Sequence, residues 1–188
     1  MGNRLTKVYT RTGDQGTTGL ADGSRLDKND PRVHCMGEID ELNACIGLAL
    51  SLLEDGPTQQ VLFAVQHDLF DVGAELCQPG KNLITDEYVE GLETSADEFN
   101  ANLSELKEFI LPGGSQAVAN LQHARTVCRR VERSLVTLSE AQTVNPMTTR
   151  YINRLSDLLF ILARAQAFDE GTGEVYWNSK YSRLNRGK

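Results

Sequence analysis

The chain has 188 residues, with 26 acidic and 19 basic side chains giving a formal net charge of −7. Hydrophobic residues make up 40% and charged residues 24%, a globular balance that excludes a disordered acidic tail, a collagen-like repeat and a small disulfide scaffold. A general nucleic-acid binder would carry net positive charge or a long basic stripe, and the sequence has neither.

A chain of this length fits one domain over 1–188, able to bury its core without a structural metal. Its charge is uneven. Asp86 to Glu108 holds eight acids and one base, so this segment accounts for the whole −7 and the remainder is neutral. No run of 18 apolar residues predicts a membrane span, and Met1–Lys7 lacks the apolar core of a secretory signal. Cys35, Cys45, Cys77 and Cys128 form no C-x-x-C pair. They read as buried thiols in a reducing cytoplasm.

In chain order, residues 1–30 differ from the rest. Thr10–Ser24 is rich in Gly, Ser and Thr with almost nothing to bury, so it reads as a loop or a short hairpin, with Lys7–Tyr9 leading in. After Pro31 the pattern turns helical. Ile39, Leu42, Ile46, Leu50 and Leu53 recur at steps of three and four up to the break at Glu54–Pro57. Val61, Leu62, Val65, Leu69, Val72 and Leu76 form the next stripe, ending before Gln78-Pro79-Gly80. The acidic segment follows, with Val89, Leu92, Ala96, Phe99, Leu103 and Leu106 as its apolar side, and it reads as an exposed, solubilising helix. Asp86 and Glu87 sit in its first turn, where the helix dipole favours them.

Phe109–Ser115 is a sharp punctuation, and Ser115 is placed to cap a long helix through Leu121, Cys128, Val131 and Leu138. Asn145-Pro146 opens the last helix, whose core face is Tyr151, Leu155, Leu158, Leu159, Leu162 and Ala165, with its end near Gly171. Five helices without strand-like runs predict an all-α, five-helix up-and-down bundle. The segments are an N-terminal loop (1–30), the bundle (31–171) and a C-terminal tail (172–188) that docks on a partner or stays loose.

Several familiar chemistries are missing. The one Gly-Lys before the tail, Gly80-Lys81, lacks the P-loop spacing. No Glu-x-x-His occurs, which removes the di-metal signature of ferritin-like bundles. His67 and Asp71 stand one turn apart without a third ligand nearby, and read as a solvated pair.

Two features remain. The Gly/Thr loop, with Arg11 and Lys28, could bring backbone amides, hydroxyls and positive charge to a phosphate, or could be a plain turn. On the long helix, Arg125, Arg129 and Glu132 share one face with Arg133 adjoining, and four arginines stand against one glutamate in Ala124–Ser134. That face is either laced with salt bridges or built for a polyanion, which Arg grips bidentately. Arg150, Asn153, Arg154 and Asp157 make a second polar row on the last helix. Together the loop and the arginine face suggest a nucleoside triphosphate held without a P-loop, at a site between subunits.

The motifs YTRTGDQGTTGL (Tyr9–Leu20), GEIDELNACIG (Gly37–Gly47), FILPGGS (Phe109–Ser115), ARTVCRRVERS (Ala124–Ser134) and YINRLSDLLFILAR (Tyr151–Arg164) occur in order. On these the chain resembles the PduO-type corrinoid adenosyltransferases over nearly its whole length. The resemblance implies a homotrimer of five-helix bundles with sites between subunits, and ATP, Mg²⁺ and cobalamin as ligands. It implies that Thr10, Arg11, Thr12, Gly13, Thr18, Gly19 and Lys28 wrap the triphosphate, and that Arg129, Glu132, Arg133 and Asn153 contact ATP from the helices. Asp40 would pair with Arg125 at the interface, and Phe109 would lie beneath the corrin. The metal's protein ligands are not assigned.

The implied chemistry is attack of Co(I) on the 5′ carbon of ATP with loss of triphosphate, which needs cations rather than a general base. A cobalamin reductase and an adenosylcobalamin-dependent enzyme are the protein partners it suggests. The alternatives are a non-catalytic ATP- or cobalamin-binding trimer for sensing or delivery, and a purely structural helical oligomer.

Overall fold

The structure is a computed structural model that describes residues 9–179. Five helices follow a small hairpin: α1 (Pro31–Leu50), α2 (Pro57–Leu76), α3 (Asp86–Asn100), α4 (Gln116–Ala141) and α5 (Pro146–Asp169). Three of them start on a side-chain cap. Asp30 accepts the Arg32 N–H, Ser115 accepts that of Val118, and Asn145 accepts that of Met147, each satisfying a donor the helix cannot. Pro31, Pro57 and Pro146 stand in first turns, where a missing N–H costs nothing. At Gly114 the backbone is left-handed (φ 121°), and a Cβ there would meet the Val118 side chain at 3.1 Å. The turn into α4 therefore requires glycine.

Side-chain pairings give the helix directions. Asn43 and Gln66 each donate to the other's backbone carbonyl at 3.1 Å, Arg32 reaches the Leu76 carbonyl and Gln142, and Arg130 reaches Glu41. Thus α1 runs antiparallel to both α2 and α4. The four residues between Ala141 and Pro146 turn the chain back, so α5 runs antiparallel to α4, and the Cys128 thiol donates to the Ile152 carbonyl and Asn153 to Glu132 across the pair. Arg150 pairs with Asp86 and Arg154 with Glu93, which sets α3 parallel to α5. The result is up-and-down, as the periodicity predicts. Leu42, Ile46, Leu62, Leu69, Leu121, Leu135, Leu155 and Leu159 fill the centre.

The helical stripes correspond to those read from the sequence, with two shortenings: α1 ends at Leu50 and leaves Leu53 outside it, and α3 is shorter still. α3 stops at Asn100, because Asn-Ala-Asn is a poor helix continuation, and Leu106 is left on the surface. Nor is α3 a free solubilising helix. Asp86 and Glu93 are engaged by Arg150 and Arg154 of α5. The cysteines are all free thiols, but only Cys35 and Cys128 are buried, and Cys45 and Cys77 are half-exposed. Burial pushes the Cys35 thiol up to about 11, Glu38 adding to the effect. Among the described residues no helix is long and apolar enough to cross a membrane.

The N-terminal segment forms the hairpin alternative, shifted along the chain. β1 (Thr17–Gly19) pairs antiparallel with β2 (Arg25–Asp27), Thr18 opposite Leu26. Val8 and everything before it, and so most of the expected lead-in, lie outside the described residues. The Ala21 N–H donates to the Cys77 carbonyl at 3.0 Å, tying the hairpin to the end of α2. That end is fixed by a buried acceptor. Glu75 takes the N–H groups of Leu83 (2.6 Å) and Ile84 (3.0 Å), the Asn145 amide (2.8 Å) and the Thr148 hydroxyl. One carboxylate thus joins the α2–α3 and α4–α5 connections.

Two variants test this frame. Glu75→Ala leaves those donors unpaired in the interior, at about 1–3 kcal/mol each. A thermal midpoint well below that of the surface control Glu90→Ala is expected, and equal midpoints would refute the hub. Asp68 accepts the Tyr151 hydroxyl at 2.9 Å, and burial holds its carboxyl above the ordinary 3.8. Its folded form prefers the proton, so its contribution is complete below 3.8 and is lost as pH rises through the higher folded value. Asp68→Asn should therefore raise the thermal midpoint at pH 7 and lose that advantage below about pH 4.

Candidate active site

The arginine face divides once the fold is in place. Arg130 turns to α1, where its Nε lies 3.3 Å from Glu38 and its other nitrogen bonds Glu41. Arg150 and Arg154 turn to α3. These belong to a salt-bridge network and leave the site. Arg125, Arg129 and Arg133 do not. Arg125 is half-buried, donates to Gln122 at 2.8 Å and lies 5.8 Å from the centre of the Phe160 ring. Arg133 donates to the Arg129 backbone carbonyl at 3.0 Å, which neutralises nothing.

Glu132 is the acid that could compensate them. Among the described residues it forms no ion pair with them, and its carboxylate instead accepts the Asn153 amide at 2.7 Å. Among the described residues, none of these three guanidiniums forms an ion pair. Burial, with the Arg129 charge adding to it, lowers the Arg125 pKa. Guanidiniums on one face without a carboxylate partner suit an anion from outside the chain. The salt-bridge reading of this face is therefore the poorer one, and Asn153 is the member of the α5 row that turns toward Glu132.

The loop is more built than its composition suggested. Arg25, which sequence reasoning passed over, donates to the Thr12 carbonyl (2.7 Å) and to the Thr17 hydroxyl (2.8 Å). Thr10 and Thr12 share a hydroxyl–hydroxyl bond at 2.9 Å. Arg11 is left-handed at φ 58° and lies over the Tyr9 ring, a conformation unusual for a residue with a side chain. At Gly13 a Cβ would stand 3.1 Å from the Thr17 carbonyl and 3.3 Å from Lys28 Nζ. The glycine therefore lets Lys28 lie against the turn. Thr18 and Gly19 are on β1, in the pairing with β2.

At the opposite end is an aromatic pair. Ile110 and Tyr176 form an antiparallel bridge, the Trp177 N–H donates to the Phe109 carbonyl at 2.7 Å, and that of Leu111 to Val175 at 2.8 Å. The Phe109 and Trp177 rings lie 6.3 Å apart. Phe109 is 76% exposed, too much for a core residue. The start of the tail is thus ordered against the segment before α4, while residues beyond Ser179 lie outside the described residues. A strand-length match between 109–111 and 175–177 is too short to read from sequence.

The hairpin, the arginines and Phe109 are not brought together within the chain. The hairpin sits where α2 and α4 end, and Phe109 where α4 begins. A helix of 26 residues separates these ends by roughly 40 Å at 1.5 Å per residue. Asp40 is exposed on α1 and has no ion pair with Arg125 inside the chain. No described cluster of three His, Cys, Asp or Glu residues could hold a metal by itself.

Comparison with known proteins follows the same outline. The Cobalamin adenosyltransferase family model matches residues 8–166. A cobalamin adenosyltransferase of Cupriavidus metallidurans is 51% identical over 94% of this chain and 97% of its own. A corrinoid adenosyltransferase of Mycobacterium tuberculosis is 46% identical over 94% and 95%. Among solved structures, a phenylalanine-to-alanine variant of the PduO-type ATP:corrinoid adenosyltransferase from Lactobacillus reuteri, complexed with cobalamin and ATP, superposes with a TM-score of 0.86. It is 35% identical, over 92% of this chain and all of that one.

Proposed function

Because the chain belongs to the cobalamin adenosyltransferase family, it is an ATP-dependent corrinoid adenosyltransferase, and we propose which of its residues carry the reaction and how. The observation that supports the assignment best is the set of three guanidiniums on α4 that form no ion pair among the described residues, beside the Glu132–Asn153 bond. In this reading Arg129 and Arg133, with Glu132 and Asn153, hold ATP along one subunit. Thr10, Arg11, Thr12, Gly13, Thr18, Gly19 and Lys28 of a neighbour close over the triphosphate. The working unit is a homotrimer, and its interfaces include Asp40 of one subunit against Arg125 of the next. The separation of hairpin and Phe109 within one chain supports a shared site. The proposed segments are a loop over 1–30, a bundle over 31–171 and a tail over 172–188, in a cytoplasmic protein.

The reaction breaks the bond between the 5′ carbon of ATP and its triphosphate oxygen. The electron pair of Co(I), the nucleophilic centre of the reduced corrinoid substrate, forms the new carbon–cobalt bond. Charge builds on the leaving oxygen as the bond breaks, so donors fixed in advance at that position lower the barrier. Arg129 and Arg133 supply such donors from a rigid helix, and Lys28 and the hairpin amides supply them from the loop. No side chain has to remove a proton. A Mg²⁺ ion, when bound, would add charge neutralisation at the phosphates. The residues present fit an ion carried mainly by the nucleotide, with Glu132 as the carboxylate on this face. Phe109 would cover the lower side of the corrin and exclude water and a lower axial ligand, which eases reduction to Co(I).

Purified protein supplied with ATP, Mg²⁺, a reductant and cob(II)alamin should form adenosylcobalamin and release inorganic triphosphate in equal amounts. Arg129→Ala should lower kcat/KM by about 100-fold, the scale of losing one charge-stabilising donor. Full turnover in that variant would remove Arg129 from the mechanism. ATP binding without triphosphate release would instead identify a sensor or carrier.

A further inference from the structure

Near the C-terminal end of α5, Arg164 is a buried cation that the reaction does not use. It is 6% exposed, and its Nε lies 2.6 Å from the Glu174 carboxylate, itself largely covered. The same guanidinium donates to the Ser104 carbonyl at 2.8 Å. Ser104 lies in the connection that leads to Phe109, and Glu174 lies in the segment that leads to Trp177. Neither is helical. A pair that only stabilised the bundle would join two helices. This one joins α5 to the two irregular segments whose pairing presents the aromatic rings.

We propose that Arg164 and Glu174 are positioning residues of the corrinoid site, a buried clamp that fixes the Phe109–Trp177 pair as one surface. The inference rests on the placement of the corrin against Phe109 given above. The physical reason lies in what one loss does. Without Arg164 the largely covered Glu174 carboxylate is left without its partner, and it lies near enough to the surface to move into water. That movement draws residues 174–177 off the 109–111 segment. The Ser104 carbonyl is released by the same change, so both supports of the ring pair slacken together.

Trp177 is the chain's single tryptophan, so its fluorescence reports on this surface alone. Arg164→Ala and Glu174→Gln should shift its emission to the red and make it easier to quench with acrylamide. They should raise KM for cobalamin about tenfold or more, the scale that small misplacements at a reacting centre reach. KM for ATP should stay within about twofold, because the nucleotide contacts lie elsewhere. The absorbance of bound cob(II)alamin lacking its lower ligand should weaken, and Arg164→Lys, which keeps a charge for Glu174, should recover part of each effect. Unchanged Trp177 emission would overturn the clamp. So would a parallel rise in both KM values with a lower thermal midpoint, which is the mark of a merely structural role. If Arg164→Ala does not fold, the near-isosteric Glu174→Gln decides alone. Phe109→Ala separates the two levels. If it leaves cobalamin binding untouched, the corrin is misplaced and the clamp's role falls with it. If it acts while Glu174→Gln does not, the clamp alone is wrong.

Discussion

The absence of an ion pair on Arg125, Arg129 and Arg133, among the described residues, is the feature around which the charges of the structure are sorted. Arg129 lies close enough to Arg125 to lower its pKa, and among the described residues no carboxylate pairs with any of the three. The acids that could pair with them are occupied. Glu132 is held by Asn153, Glu38 and Glu41 by Arg130, and Glu93 by Arg150 and Arg154. An acidic protein thus keeps an electropositive face by sorting its charges rather than by changing their number. The net charge says nothing about the ligand, because pairing decides which cations remain available.

The frame that holds this face is apolar and mostly was legible in the sequence. Periodicity placed all five helices, and Ser115 and Asn145-Pro146 marked two starting points, since cap residues and proline positions act locally. What escaped the sequence depends on partners distant along the chain. The commitment of Arg150 and Arg154 to α3 cannot be told from a ligand row until α3 is seen to run parallel to α5. The bridge between Ile110 and Tyr176 has no local signal, because two residues of pairing leave no alternation. Arg25 carried no signal of its own, and only the hairpin register brings it to Thr12 and Thr17.

The candidate site was legible in its composition and not in its assembly. The arginine spacing gave a shared face, and the glycines gave a loop that lets a lysine approach. The Glu132–Asn153 bond, which decides between a salt-bridged face and an open one, spans two helices and follows from their antiparallel packing. The aromatic end was half visible. Phe109 came from its motif, whereas Trp177 lay in a tail with no periodicity to place it.

Arg129 and Arg130 show how narrow the sorting is. They are neighbours in sequence but point about 100° apart around α4. One is locked to the carboxylates of α1, and the other is left open. The distinction between a structural cation and a ligand-binding one is here a matter of helical phase. A slip of a single residue in α4 would exchange the two, with the composition, the net charge and the helix itself unchanged. Length variation in this protein therefore belongs in the connections, where a change of phase has no meaning.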